Sequence, residues 1–302
     1  MNQLKILKIS NIDNDKLVNF YNKIFVKIKS FKLDYLWKYQ TDINNGSIVM
    51  LKNDEIVGHI GCYPAKIKLA GKIFEIIWWF DLFVKKEYRK LGIAKALIKY
   101  SMNNDSLQAA IVNEKSLGLF KKMGWSQNFS YERIIYFLPF KKFLYKTLLE
   151  DKFKSIPLNL DNIKALSKNV DEAQKNEEDC LIRDINWFKW RFLEYPLKDK
   201  IIFLNSKNKY ILGIKKKWFK MKIFKVLFSN FEFNQQSINM INDWAKKNNF
   251  IFVSLLSSNK ISQSKILRKK INLISFSTRD QTEKDFFNRI KNIQFSDSDI
   301  GF

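Results

Sequence analysis

The sequence of 302 residues is poor in histidine and cysteine, the side chains on which zinc sites and disulfides depend. It has one histidine, His59, and two cysteines, Cys62 and Cys180, which are far apart along the chain. A disulfide framework needs several cysteines, and a zinc site needs a cluster of cysteine and histidine at short spacing. We therefore predict no disulfide and no structural or catalytic metal.

Long apolar runs are also missing. The most apolar stretch, residues 76–84, is interrupted by Asp81 and is far shorter than the about 20 residues that a membrane-spanning helix needs. The N-terminal residues have neither an apolar signal core nor a small-residue cleavage site. We predict a cytoplasmic protein with no transmembrane helix.

Arginine is scarce, although the net charge is +24: only 7 of the 54 basic residues are arginine. The charge is spread evenly, because residues 1–150 and residues 151–302 each carry +12. Base readout and bidentate phosphate contacts favour arginine over lysine. Asparagine and isoleucine are abundant alongside lysine, which favours coding bias as the cause of the high lysine content. We predict that nucleic acid is not the partner, while the basic surface attracts an anionic ligand.

The content of 46% hydrophobic and 15% aromatic residues is ample for a sizeable core, and the length suggests about two domains. Alternating or continuous apolar runs predict strands, and apolar residues at helical spacing predict helices. Strands are predicted at residues 4–9, 47–52, 56–63, 65–69, 73–84 and 108–112, with helices at 15–28, 95–102 and 116–123. In the second half, strands are predicted at 201–205, 210–214, 223–228, 250–256 and 273–277, with helices at 235–247 and 262–270. This order predicts an α+β or α/β fold.

The segment 81–94 carries the clearest chemical signal. An apolar strand runs into Arg89-Lys90-Leu91-Gly92-Ile93-Ala94, and a helix follows. Backbone N–H groups at a helix N-terminus form an anion site, and glycine followed by a small residue lets a phosphate approach the backbone. Arg89 and Lys90 add positive charge. The spacing matches neither the Rossmann fingerprint nor the P-loop.

The same segment resembles motif A of the GNAT acetyltransferases, which reads Arg/Gln-x-x-Gly-x-Gly/Ala after a strand. Arg89, Gly92 and Ala94 stand at its three fixed positions, and Val84 and Tyr88 match the residues that typically precede it.

Residues 112–116 and 119–125 resemble the later strand and short helix of the family, so that the likeness covers roughly residues 4–137. The resemblance implies the GNAT fold, a mixed and mostly antiparallel central sheet flanked by helices.

The resemblance also implies a co-substrate, acetyl-CoA, and the residues that hold it. Backbone groups of Leu82, Phe83 and Val84 would meet the pantetheine arm and the thioester. The turn formed by Arg89, Lys90, Leu91, Gly92, Ile93 and Ala94 would hold the pyrophosphate. Asn113, Ser116 and Phe120 would line the other side of the cofactor. The reaction would be direct attack of a neutral amine on the thioester carbonyl.

A general base must take the proton of the amine. Asp81 is the first candidate, because it interrupts an apolar strand beside Trp78 and Trp79 and burial would raise its pKa. The alternative is a carboxylate hydrogen-bonded to a neighbouring segment. His59, on the adjacent predicted strand, is the second candidate, and its alternative is a structural role.

Phe120 departs from the family pattern. Many members have a tyrosine there that protonates the departing thiolate, and phenylalanine has no proton to give. Either the thiolate leaves unassisted, another residue such as Tyr131 serves, or catalysis is weak.

We divide the chain into a GNAT acetyl-CoA-binding domain at residues 1–140, a helical connector at 141–180 and a degenerate GNAT-like domain at 181–302. The last has no motif A between its central strand and helix, and we expect it to shape the acceptor site. A dense aromatic and basic cluster between Arg183 and Pro196 would either pack the domain or recognise the acceptor. A similar pattern occurs in GNAT-like proteins of surface-polysaccharide synthesis, which would suit an amino sugar as acceptor.

We therefore predict an N-acetyltransferase that acts on a primary amine, with an amino sugar as one candidate. One alternative is a Fem-like aminoacyltransferase that uses aminoacyl-tRNA. Another is a non-catalytic module that binds CoA or a partner, which Phe120 would suit. The sequence predicts neither the acceptor, the acyl group nor the oligomeric state.

Overall fold

The computed structural model describes residues 4–24, 37–39, 46–103, 107–138, 152–218, 221–257 and 267–276. The chain divides into two compact units. The first unit comprises Met1–Phe129 and Asn272–Ile290, and the second comprises Ser130–Ile271 and Lys291–Phe302. The chain thus contributes to each unit twice.

The first unit is a mixed sheet with helices. Its strands are β1 (Leu4–Lys8), β2 (Ile48–Lys52), β3 (Glu55–Leu69), β4 (Lys72–Val84) and β5 (Gln108–Val112), followed by residues 272–276 of the last strand of the chain, β13 (Leu267–Phe276). The pairs are antiparallel except for β4 with β5, which are parallel. The helices are α1 (Asn14–Ile24), α2 (Ile93–Met102) and α3 (Glu114–Lys122).

Helix α2 joins the two parallel strands and packs on the sheet through Ile93, Leu97 and Ile98, all buried. A glycine in β3 makes this approach possible. A Cβ atom at Gly58 would lie 2.8 Å from Cγ2 of Ile93 and 3.1 Å from Cδ1 of Leu97. The sequence therefore fixes the first turn of α2 tightly against β3.

The second unit has its own mixed sheet. Its strands are residues 130–137 of β6 (Ser126–Phe137), with β7 (Lys154–Ile156), β9 (Ile201–Ser206), β10 (Lys209–Trp218), β11 (Met221–Ser229) and β12 (Phe252–Ser257). The short strand β8 (Cys180–Ile182) also falls within this unit, but it does not pair with the described strands of this sheet. Its helices are α4 (Leu160–Lys175), α5 (Ile185–Phe188), which continues into a π-helical turn at Lys189–Leu193, and α6 (Gln235–Lys247). The strand order is β6-β12-β11-β10-β9-β7, and only β11 with β12 is parallel among these pairs.

The two units repeat one topology. In the first unit, the antiparallel strands β2, β3 and β4 lead through α2 to β5, which is parallel to β4. In the second unit, the antiparallel strands β9, β10 and β11 lead through α6 to β12, which is parallel to β11. The third strand carries an extra residue in each unit: β4 is shifted against β3 between His59 and Gly61, and β11 is shifted against β10 between Leu212 and Gly213. The predicted GNAT fold, with a mixed sheet flanked by helices, is confirmed.

Two sequence predictions need correction. The helix predicted at residues 262–270 is wrong where the structure describes it, because Leu267 begins strand β13. Its partner β5 lies about 160 residues earlier, so no local pattern shows the pairing. The two strands predicted at 56–63 and 65–69 are one strand, β3. Pro64 lies within β3, beyond Ile60, the last residue of β3 that pairs with β2.

Some predictions fall outside the described residues. These are the end of the first helix at 25–28, the connector at 141–151, and residues 262–266 and 277. The rest of the connector contains α4, a helix of 16 residues whose side chains Ile163, Leu166 and Val170 are buried.

No helix within the described ranges has the length and apolar character needed to cross a membrane. Over the same residues, His, Cys, Asp and Glu side chains form no group of three or more that could hold a metal ion. Cys62 and Cys180 are buried free thiols, one in each unit.

Candidate active site

The pairing between strands β4 and β5 ends before β4 does. Their parallel pairing covers Ile77, Trp78 and Trp79, and β4 then continues for five residues to Val84. Over the described residues, the backbone of 80–84 has no β5 partner on that side. An extended ligand can therefore lie along this stretch and bind its N–H and C=O groups, as an added strand would.

The extra residue of β4 falls at the start of this stretch. Gly61 pairs with Phe80 and His59 with Phe83, so that Asp81 and Leu82 together face Ile60. Asp81 has a φ of 47°, in the left-handed region. A positive φ at a non-glycine residue is strained, and such strain concentrates at functional sites.

The chain then turns into α2 through residues 85–92. Lys90 and Gly92 have positive φ, 69° and 78°. Helix α2 begins at Ile93 with no side-chain cap, so the N–H groups of its first turn remain for another acceptor. A Cβ atom placed on Gly92 would meet nothing within 4 Å. The space beside this turn is open, as an anion site requires.

Arg89 connects the turn to the end of β4. Its Nε donates a hydrogen bond to the backbone oxygen of Val84 at 3.2 Å, and its guanidinium lies 5.9 Å from the ring centre of Phe83. Arg89, Lys90 and Leu91 are exposed. The structure thus brings the predicted pantetheine and pyrophosphate residues into one continuous edge.

The carboxylate of Asp81 is half-buried and paired. Nζ of Lys38 lies 2.6 Å from Oδ2 of Asp81, and the hydroxyl of Tyr39 donates to the same oxygen at 2.5 Å. Burial acts to raise the pKa of Asp81, but the charge of Lys38 and the hydrogen bonds from Lys38 and Tyr39 outweigh it and hold the pKa below its usual value. The raised pKa expected from the sequence is wrong, because the sequence does not place residues 37–39.

His59 lies beneath the bulge. It is fully buried, and burial lowers its pKa to about 3, so the ring is neutral. Its Nδ1 donates to the backbone oxygen of Asp81 at 3.2 Å, since a carbonyl can only accept. Its Nε2 has no hydrogen-bond partner among the described residues. The two predicted base candidates are therefore in contact, with His59 holding the backbone of Asp81.

Aromatic rings fix this arrangement. Tyr39 stacks on Tyr21 and on Phe80, with ring centres 5.6 and 5.5 Å apart, and meets His59 edge-on at 4.7 Å. Gly61 makes room for the rings, because a Cβ there would lie 2.5 Å from Phe80 and 2.7 Å from Tyr39. The hydroxyl of Tyr39 is thereby held against Asp81.

The residues predicted for the other side of the cofactor lie at α3. Asn113 caps the helix, and its Oδ1 accepts from the backbone N–H and the hydroxyl of Ser116, at 3.1 and 3.0 Å. Phe120 is only 2% exposed and packs edge-on against Trp125, with ring centres 5.1 Å apart. Capping and core packing account for all three, and their contact with a cofactor stays a prediction.

In the second unit, the start of helix α6, which corresponds to the start of α2 in the first unit, is capped by side chains. Helix α6 is capped by Asn234, whose side chain accepts from the N–H of Ser237 while the Ser237 hydroxyl accepts from the N–H of Asn234. The end of β11 is also covered: Phe228 meets the ring of Phe188 edge-on at 5.1 Å, and the guanidinium of Arg183 lies 5.6 Å from the Phe228 ring.

Arg183 and Arg191 are buried, with 4% and 2% of their surface exposed. The two arginines of the aromatic and basic cluster are therefore buried, which favours packing over acceptor recognition.

Comparison with known proteins identifies the first unit. Residues 12–125 match the model of the acetyltransferase (GNAT) family. No curated protein matches the sequence. Among solved structures, a GCN5-related N-acetyltransferase from Anabaena variabilis is similar at 15% identity and a TM-score of 0.64, covering 90% of this chain and 72% of that one.

Two other solved structures have the same fold at low identity. A probable N-acyltransferase from Enterococcus faecalis is 10% identical with a TM-score of 0.64, covering 93% of this chain and 74% of that one. The N-myristoyltransferase of Saccharomyces cerevisiae, solved with myristoyl-CoA, is 13% identical with a TM-score of 0.57, covering 91% and 83%. With the motif at Arg89, Gly92 and Ala94, these likenesses show that the chain carries a GNAT acetyltransferase-family domain at residues 12–125.

Proposed function

We propose that the protein is an N-acyltransferase that moves an acetyl group from acetyl-CoA to a primary amine. The observation that carries this proposal is the continuous edge from the bulge at Asp81 to the uncapped start of α2. It offers extended backbone to a pantetheine arm and an open, basic helix N-terminus to a pyrophosphate. The family match supports an acyltransferase, and the acetyl group belongs to the proposal.

The backbone of residues 82–84 would bind the pantetheine arm and direct N–H groups at the thioester oxygen. Such donors stabilise the negative charge that develops on that oxygen when the amine attacks. Holding the amine and the thioester in register supplies a further part of the rate. The carbon–nitrogen bond forms, the carbon–sulfur bond breaks, and the thiolate takes a proton from solvent.

Asp81 would accept the proton of the attacking amine. Its pKa is low, so it cannot deprotonate a free ammonium ion efficiently. Once nitrogen has bonded to the carbonyl carbon, however, its proton becomes acidic enough for a carboxylate to take. The acceptor attacks as the neutral amine, having given its ammonium proton to solvent, and Asp81 takes the second proton from the adduct.

His59 suits a positioning role better than a basic one. With a pKa of about 3 and a fully buried ring, it is neutral at neutral pH, and its one N–H proton is the one that Nδ1 donates to Asp81. Its hydrogen bond to the backbone oxygen of Asp81 holds the bulge in place. His59 is the second candidate base, and the variants Asp81→Asn and His59→Gln separate the two candidates.

The second unit would shape the acceptor site. Its closed helix start and covered strand end fit a domain that has lost cofactor binding. The domain bounds at 140 and 180, the amino-sugar acceptor and the cytoplasmic location stay predictions. So does the use of aminoacyl-tRNA, which the open pyrophosphate turn favours less than CoA.

One observation favours a second candidate, a CoA-binding module without catalysis. Phe120 is locked in the core and offers no proton to a leaving thiolate.

Release of CoA thiol separates the two. The purified chain is incubated with acetyl-CoA and a panel of primary amines that includes amino sugars, and free thiol is followed with time. Amine-dependent release supports the enzyme. Binding of acetyl-CoA without release of CoA thiol in the presence of any amine supports the CoA-binding module.

A further inference from the structure

We infer that Glu55, at the tip of the β2–β3 hairpin, is a positioning residue that holds the pyrophosphate turn in its binding-competent shape. This inference rests on the proposed binding of CoA at residues 89–94. Glu55 itself lies outside that turn, and no motif of the sequence points to it.

The hairpin brings Glu55 to the site. Asn53 and Asp54 form a two-residue turn with positive φ at both positions, 49° and 63°, which suits a tight hairpin. Glu55 follows directly and opens β3. Since β3 is antiparallel to β4, with Gly58 opposite Val84, the start of β3 lies beside the segment that leaves β4.

Both oxygens of Glu55 bind that segment. Oε1 accepts a charged hydrogen bond from Nζ of Lys85, and Oε2 accepts from the hydroxyl of Tyr88 at 3.1 Å. Lys85 directly precedes the 3₁₀ turn Lys86–Tyr88 and Tyr88 ends it, and the turn leads straight into Arg89. One carboxylate therefore fixes both ends of the turn that precedes the pyrophosphate site.

The surroundings show that this contact is built into the fold. The side chain of Lys85 is only 9% exposed, and its Nζ lies 5.7 Å from the ring centre of Phe20. A buried ammonium needs a partner, and Glu55 supplies it. The hydrogen bond from Lys85 lowers the pKa of Glu55, which keeps the carboxylate ionised at neutral pH.

The charges argue against a direct role in binding. A carboxylate by itself repels a pyrophosphate, but Lys85 neutralises this one. Glu55 thus acts through the shape of the backbone from Tyr88 to Gly92. A loop that is held in its bound shape loses less conformational freedom when the ligand arrives, and so binds more tightly.

The test compares two ligands, CoA and pantetheine, which lacks the pyrophosphate. Dissociation constants are measured by calorimetry for CoA and by NMR titration for pantetheine, on the whole chain. We expect Glu55→Ala to weaken CoA about tenfold and Glu55→Gln, which keeps an acceptor for Lys85, about threefold or less. Pantetheine affinity should stay within about twofold in both.

Two further variants sharpen the test. Glu87→Ala removes one exposed carboxylate from the same turn and should leave CoA affinity unchanged or slightly higher. Tyr88→Phe removes only the hydroxyl and should weaken CoA about threefold without affecting pantetheine. Because Tyr88→Phe leaves Lys85 paired, it decides the matter if Glu55→Ala does not fold.

The outcomes are distinct. If the parent chain binds pantetheine and CoA equally or neither, the proposed function fails and the inference falls with it. If the parent binds CoA and the folded Glu55→Ala variant, or Tyr88→Phe where Glu55→Ala does not fold, binds it as tightly, Glu55 has no positioning role. Equal losses for CoA and pantetheine would also overturn the inference, because they indicate a general loss of structure.

Discussion

The Nζ atom of Lys38 lies 2.6 Å from Oδ2 of Asp81, although 43 residues separate them along the chain. This ion pair decides the protonation state of the candidate base. Burial alone would raise the pKa of Asp81, and Lys38, with Tyr39, reverses the direction. The pair therefore turns a carboxylate in apolar surroundings into one that is ionised across the physiological range.

Removing the charge of Lys38 should expose the effect of burial. In Lys38→Met, burial becomes dominant and the pKa of Asp81 rises above its usual value. Since Asp81 acts when deprotonated, turnover of the variant should fall as the pH is lowered through that raised pKa. We expect the acid-side inflection of the pH–rate profile to lie at a higher pH in Lys38→Met than in the parent. Lys38→Arg keeps the charge and serves as the control, and identical profiles for the parent and Lys38→Met would contradict this account.

Replacing the carboxylate of Asp81 should affect turnover more than binding. Asp81→Asn keeps the size and removes the basicity, so we expect turnover to fall about 100-fold or more. Affinity for acetyl-CoA, measured by calorimetry, should change less than about threefold. Near-parental turnover in Asp81→Asn together with its loss in His59→Gln would assign the base to His59. Activity in both variants would leave proton transfer to solvent.

The only histidine gives the protein a defined response to acid. His59 has a folded-state pKa of about 3, below the 6.5 of the unfolded chain, so the unfolded state binds the extra proton first. The contribution of His59 to the free energy of unfolding is therefore fully present above pH 6.5 and is lost as the pH falls from 6.5 towards 3.

Between pH 6.5 and 5 this group should cost about 1.5 kcal/mol of unfolding free energy. Urea denaturation at several pH values measures the slope, and His59→Gln should flatten it in this window. An equal slope in the variant would show that His59 is not buried neutral.

The chain should bind one CoA. Asn234 and Ser237 already occupy the helix start in the second unit that corresponds to the pyrophosphate turn in the first. A calorimetric titration should give a stoichiometry of one, and Asn234→Ala should not alter the affinity. Two equivalents of CoA per chain would show that the second unit keeps a working site.

The sequence was sufficient to predict the turn at residues 89–94, because the shape of that turn depends on local features. A glycine with positive φ, a following small residue and two basic side chains are contiguous, and the structure has them at the start of α2. The strands on either side of this turn were also predicted, from continuous apolar runs. The bounds of the strands were not all predicted, since two strands were expected on either side of Pro64 and the structure has one, β3.

The partners of the site could not be predicted, because they come from distant segments. Tyr39 reaches Asp81 from 42 residues away, and Glu55 reaches Lys85 from 30 residues away. No periodicity or spacing marks such contacts. The direction of the pKa shift at Asp81 was wrong for this reason, since burial was visible in the sequence and its compensating charge was not.

The central claim is that acetyl-CoA binds the open turn at Gly92, and two glycines allow a matched test. Gly92 and Gly71 have φ of 78° and 77°, and at each a Cβ would meet nothing within 4 Å. Gly71 lies in the turn between β3 and β4, at the opposite end of β4 from the candidate site. A substitution to valine strains the backbone equally at both, but only at Gly92 would it fill the space where the pyrophosphate binds.

The measurement is a calorimetric titration of acetyl-CoA into the parent, Gly92→Val and Gly71→Val chains, with circular dichroism to confirm folding. The account predicts binding to the parent and to Gly71→Val with similar affinity, and a loss of about 100-fold or more in Gly92→Val. Equal affinity in the two folded variants, or no binding to the parent, would contradict it.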